Sequence, residues 1–89
     1  MIDLQQLSDT IWNERNLPND IKMEWSAVCN DRAALRPLPR QPWLKIDFVH
    51  HKGMKYTELR RRLEKYNFTW VKDAVFILNS WILDMSMLV

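Results

Sequence analysis

Residues 56–83 read YTELRRRLEKYNFTWVKDAVFILNSWIL. Tyr56, Leu59, Leu63 and Tyr66 recur at i, i+3, i+7 and i+10, so they share one face of a helix. Glu58, Arg61, Arg62 and Lys65 lie on the opposite side, and Thr57 is placed to cap the first turn, which predicts a helix over 57–66. After the connector, Val71, Val75, Leu78 and Ile82 form one apolar stripe and Trp70, Ala74, Ile77 and Trp81 another. A helix over 70–83 with two such stripes belongs at the centre of a core or partly under a partner. The run AVFIL at 74–78 is also compatible with a buried strand, and the tail MSMLV with a short terminal strand. The class expected is mainly α.

The upstream half agrees with a helical class. Asp3 is a good N-cap, Gln6 completes a D-x-x-Q capping box, and Ile2 can meet Leu7 as a hydrophobic staple. Leu4, Leu7 and Ile11 then fall on one face, predicting a first helix to about Glu14. Asn19 or Asp20 can cap a second helix in which Ile21, Trp25 and Val28 share a face extended by Cys29 and Ala33. RPLPRQPW at 36–43 breaks any helix and reads as a connector; its R-x-x-P-x-x-P spacing fits SH3 ligands but arises often by chance. Leu44, Ile46 and Phe48 alternate as in a strand, whereas Leu44, Phe48 and Val49 suggest a short helix over 43–50, closed by a turn at HHKG; the helix is the reading favoured. The expected organisation is one domain: a helical pair (1–35), the connector (36–42) and a C-terminal unit (43–89).

With 89 residues the chain is long enough for one small core. A single glycine and four prolines are too little punctuation for many short strands. Cys29 stands alone, which precludes an internal disulfide and fits a reducing, cytoplasmic setting. The N-terminus lacks a signal-peptide pattern, and the longest apolar run, five residues, is far short of a membrane span. The net charge of +2 conceals polarity: residues 1–35 carry −3, residues 36–72 carry +7 and residues 73–89 carry −2. A basic central block favours an anionic partner.

In order, a short helix, a tight HHKG, the string KYTELRRRL, a brief YNFT and a helix with Val71, Val75, Leu78 and Leu83 at spaced positions resemble the core of a winged helix-turn-helix of the HxlR and MarR type. The resemblance covers residues 43–84 and implies a winged-helix fold and DNA binding. The second helix departs from a major-groove reader: outside its apolar stripes it shows Lys72, Asp73, Phe76, Asn79 and Ser80.

Two functional expectations follow. In the first, a non-catalytic DNA-binding protein, a regulator or mobile-element accessory, contacts phosphates through Arg60, Arg61, Arg62 and Lys65, joined by Asn67, Thr69 and Lys72. Arg36, Arg40, Lys45, Lys52 and Lys55 add to the field, while Trp70 and Tyr66 can stack on unpaired bases. Against it, Glu58 and Glu64 stand at ion-pair spacing from Arg62 and Arg60. In the second, Trp70, Phe76 and Asp73, with Trp12, form a protein interface. Such a protein suits a phage or mobile-element inhibitor of a host complex, for example a defence complex such as CRISPR; exposed aromatics also suit a homodimer. No enzyme is expected, since no phosphate-binding loop, nucleophile elbow or metal-ligand cluster is present, and His50–His51 is not a metal site by itself. No cofactor is expected.

Overall fold

The computed structural model describes residues 3–33 and 42–86, with side chains in the second segment from His50 onward. It contains four helices: α1 (Leu4–Asn13), α2 (Asn19–Ala33), α3 (Pro42–Leu63) and α4 (Val71–Ser86). No strand occurs among the described residues.

α1 starts where its cap dictates. Asp3 has extended backbone, and its Oδ1 accepts from the amides of Gln5 at 3.0 Å and Gln6 at 3.4 Å. Ile2, the other half of the expected staple, lies outside the described residues. Leu7 and Ile11 are buried, whereas Leu4 remains 39% exposed at the helix entrance. The other end is closed from a different helix: buried Lys22 of α2 donates through Nζ to the carbonyl of Trp12 at 3.1 Å. A cation on the last carbonyls of α1 also complements the helix dipole.

α2 begins at Asn19 with the Lys22 amide donating to the Pro18 carbonyl. Asn19 and Asp20 therefore sit inside the first turn rather than ahead of it, where an acidic Asp20 still suits the dipole. Ile21, Trp25 and Val28 are buried as their spacing predicts.

The largest departure from expectation is α3. A short helix, a turn at HHKG and a capped helix from Thr57 are replaced by one continuous helix of 22 residues. Pro42 occupies its first position, where the missing amide costs nothing. Gly53 lies in the helix interior, and Thr57 is no cap: its Oγ1 donates back to the Gly53 carbonyl at 2.8 Å. One glycine, at a cost of about 1 kcal/mol, cannot break a helix whose far turns are held by the packing of Tyr56, Leu59 and Leu63. The three-helix arrangement implied by the winged-helix resemblance is consequently not formed by residues 43–66. The terminal strand is likewise replaced, as far as Ser86, by α4; residues 87–89 lie outside the described residues. The ambiguous run 74–78 is helical.

Gly53 gives the first prediction. A Cβ built there meets nothing within 4 Å. Gly53→Ala should therefore stabilise the protein by about 0.5–1 kcal/mol. Thermal melting followed by circular dichroism should show Tm rising by about 3–6 °C; a fall would show that this helix is bent at residue 53.

Consecutive helices run antiparallel, as paired contacts at each interface require: Ser8–Trp25 with Trp12–Lys22, Glu24–Arg62 with Asp31–Lys52, and Arg60–Asn79 with Tyr56–Trp81. Their buried faces meet in one core containing residues of all four helices. In α4 the buried set is Val71, Ala74, Leu78, Trp81 and Met85, an alternating three- and four-residue spacing that traces one seam. Trp25 is fully buried and stacks on Trp81 with centroids 5.9 Å apart, while Tyr56 tilts against the same Trp81 at 5.9 Å. No described helix is long and apolar enough to cross a membrane.

Candidate functional site

The fold settles first what becomes of the three arginines. On a helix they point 100° apart, so they cannot share one face. Arg62 turns toward α2, where its guanidinium reaches Glu24 at 2.5 Å and also pairs with Asp20. Arg60 turns toward α4, donating to Asn79 Oδ1 at 2.6 Å with Glu64 at 3.6 Å. Arg61 points outward and pairs with Glu58 at 3.0 Å. The expected Arg60–Glu64 pair forms, whereas Glu58 holds Arg61 rather than Arg62. Lys52 and Lys55 converge on Asp31 of α2 at 3.0 and 3.3 Å.

Three acidic residues of the N-terminal third, Asp20, Glu24 and Asp31, are thus partners of Arg62, Lys52 and Lys55 in the basic middle. The side-chain hydrogen bond from Arg62 holds the Asp20 carboxyl below its usual range and raises the guanidinium in return. Burial pushes Asp31 upward, but hydrogen bonds and charge from Lys52 and Lys55 outweigh it and leave the carboxyl below its usual range. These are partly solvated pairs, so their main effect is orientation rather than large stability.

Among the described residues, Lys65 and Lys72 are exposed cations outside this set of ion pairs. Lys72 lines a groove of about 390 Å³ with Glu64, Tyr66, Asn67, Phe68, Val71 and Val75. Asn67 and Thr69 are exposed in the turn between α3 and α4. Tyr66, Phe68 and Trp70 form a continuous stack, with centroids 5.6 and 5.2 Å apart and planes within 8° and 12°. Trp70 is only 8% exposed and packs in the core, with its Nε1 buried and without a hydrogen-bond partner among the described residues. It is the inner end of this stack and presents no surface for a base or a partner. Arg36, Arg40 and the Lys45 side chain lie outside the described residues.

The second candidate surface is the outward side of α4. Phe76 is 65% exposed and Leu83 64%. They are two helical turns apart on one stripe, with Asn79 and Ser80 between them and Asp73 and Lys72 at the N-terminal end. The sequence points to Phe76 and Asp73 for such a surface and places Leu83 only among the spaced apolar positions of the helix-turn-helix resemblance. Leu83 would have been found by noting that it lies seven residues from Phe76 and off the seam of residues 71, 74, 78, 81 and 85. A shallow groove of about 430 Å³ runs between α3 and α4 beside this face, lined by His50, Gly53, Met54, Thr57, Glu58, Arg61, Ile82 and Ser86. Further exposed apolar side chains, Trp12 and Met23, are on α1 and α2.

Catalytic geometry does not converge at either surface. His50 and His51 are exposed, and the described residues contain no group of His, Cys, Asp and Glu able to hold a metal ion. Cys29 is half-buried near Ser8; burial pushes its thiol up, partly offset by a hydrogen bond with Ser8, so it is a weak nucleophile. Compared with known protein families, curated proteins and solved structures, the chain finds no match.

Proposed function

We propose that this chain is a small non-catalytic domain that binds another protein through the outward face of α4, with Phe76 as its central contact. One observation carries the reading: the arginines that favoured a phosphate-binding helix are engaged in intramolecular pairs, while Phe76 and Leu83 stand exposed on one stripe of α4. Desolvating an ion-paired arginine against a phosphate means exchanging one anion for another, which gains little. Covering a two-thirds exposed phenylalanine gains the full hydrophobic term, about 25 cal/mol per Å² removed from water. Aromatic anchors rimmed by polar groups are what interface hot spots are built from.

Phe76→Asp tests this. The side chain lies off the core seam, so thermal stability and helix content should stay within error of the parent. Capture of a partner from cell lysate on the immobilised protein should be lost. Equal capture by parent and variant, with folding intact, would reject the outer face of α4 as the contact surface.

A second reading is favoured by the pair of lysines around the turn. Lys65 and Lys72 flank half-buried Tyr66 and Phe68 and exposed Asn67, an arrangement able to hold a phosphate and an unpaired base. Binding of a single-stranded oligonucleotide should then weaken as salt rises, and Lys65→Ala with Lys72→Ala should flatten that dependence. Absence of binding at low salt would end this reading.

A further inference from the structure

We infer that the groove beside the α3–α4 turn is a single-nucleotide site: it takes one flat base bearing an exocyclic amine, with its phosphate, as a free mononucleotide or as one unit of a strand. This rests on the reading of Lys65 and Lys72 as phosphate contacts, and it names the size and the base of the ligand. The first observation is a stack with one open end. In Tyr66, Phe68 and Trp70, adjacent rings lie within 8° and 12° of parallel. Trp70 closes the inner end against the core, while half-buried Tyr66 and Phe68 both line the groove of about 390 Å³. That volume is at the low end for a ligand pocket, enough for one ring system and not for a run of them. A base laid against Tyr66 continues the stack as its fourth ring.

Polar groups set which base fits. Asn67 lines the same groove with an acceptor and a donor side by side, and Glu64 on its rim offers acceptors alone. Glu64 is 53% exposed at its side chain, and its contact with Arg60 at 3.6 Å is too long for a hydrogen bond. An exocyclic amine, as on adenine or cytosine, donates to Glu64 while Asn67 completes the edge. Uracil and thymine present a carbonyl in place of that amine.

Charge sets how many phosphates are held. Lys72 lines the groove and Lys65 precedes Tyr66, both exposed. The neighbouring arginines are committed elsewhere: Arg60 to Asn79, Arg61 to Glu58, and Arg62 to Asp20 and Glu24. Asp73 follows Lys72 as an exposed anion. Two cations bounded by anions hold one or two phosphates and form no continuous track. A long strand therefore has no advantage over a dinucleotide beyond the number of registers it offers. Its log affinity should fall against log salt with a slope of about −1.4, or about sevenfold between roughly 50 and 200 mM.

NMR titration of the isotope-labelled full chain tests this. Adenosine 5′-monophosphate should shift the amides of residues 64–72 and the indole NH of Trp70, which underlies the stack. Inorganic phosphate at equal concentration should not. Uridine 5′-monophosphate should bind several-fold more weakly, and Glu64→Gln, an exposed change outside the core, should bring the two nucleotides closer together. An adenine decanucleotide should exceed the dinucleotide only by its registers. Comparable affinity for the mononucleotide and the dinucleotide would identify the free nucleotide as the ligand, and a tighter dinucleotide the strand. The inference is overturned if the parent shows no shifts at about 10 mM mononucleotide or dinucleotide, ten times a Kd of 1 mM. Equal shifts with inorganic phosphate, or equal affinity for adenine and uracil nucleotides, would also overturn it. So would a decanucleotide tighter by more than about tenfold beyond its registers. If any of these occurs while Lys65→Ala with Lys72→Ala still removes the salt dependence of the decanucleotide, the phosphate reading stands and this inference alone falls. Absence of any oligonucleotide binding at low salt overturns both.

Discussion

Trp25→Ala is expected to cost about 3–5 kcal/mol. The total stability of a chain this size is roughly 4–13 kcal/mol, so the variant should be substantially unfolded near body temperature. Three things are lost together. The indole is fully buried, so its removal leaves a large void. Its stack on Trp81 disappears, and Trp81 is the ring on which Tyr56 also leans. Its Nε1 donates to Ser8 Oγ at 3.0 Å, so α1 loses a hydrogen bond to α2. α1 has ten residues, too few to persist without tertiary contacts. Urea unfolding followed by circular dichroism should show the midpoint collapsing in Trp25→Ala, with an intermediate loss in Trp25→Phe. A loss below about 1.5 kcal/mol in the alanine variant would mean that α1 and α4 close over the site, contrary to the rigid packing described.

The second large effect is at high pH. Burial pushes the Tyr56 phenol up to about 12, reinforced by the negative charge of Asp31, and its hydroxyl donates to the Val28 carbonyl at 3.3 Å. In the unfolded chain the phenol ionises near its ordinary value of 10. Between these values the unfolded state loses a proton that the folded state keeps, so stability falls as pH rises. The contribution is complete below pH 10 and gone above 12, a loss of at most about 3 kcal/mol. Tyr56→Phe should be less stable at neutral pH by about 1 kcal/mol, having lost the hydroxyl's hydrogen bond, but should show a flatter decline above pH 10. Equal alkaline slopes in parent and variant would show that Tyr56 meets solvent.

Much of this fold could be read from spacing. The seams of α1, α2 and the last turns of α3 came from apolar periodicity, because amphipathic helices buried on one face leave that signature. What misled was local punctuation. Gly53 and Thr57 look like a turn followed by a cap, yet both lie inside α3, where Thr57 bonds to the Gly53 carbonyl. Local propensity of about 1 kcal/mol yields to the burial of Tyr56, Leu59 and Leu63. The candidate site was legible in part. Phe76 stood out because it fell outside the two apolar stripes of its helix. The fate of the arginines was not legible, since Asp20 and Glu24 lie 42 and 38 residues from Arg62 and only the tertiary fold brings them together.

The ion pairs between α2 and α3 act as a vernier. One contact lies at Asp20 and Glu24 with Arg62, the other at Asp31 with Lys52 and Lys55. The two contacts are separated by about 13 Å on each helix, at 1.5 Å per residue. Because the intervals match, only one register of α2 against α3 closes both; a slip of one turn opens both at once. The charge polarity that looks like an address for an outside anion thus works as an internal alignment mark. It fixes which turn of α3 faces Val28, and through Tyr56 it fixes where Trp81 and the rest of α4 come to lie.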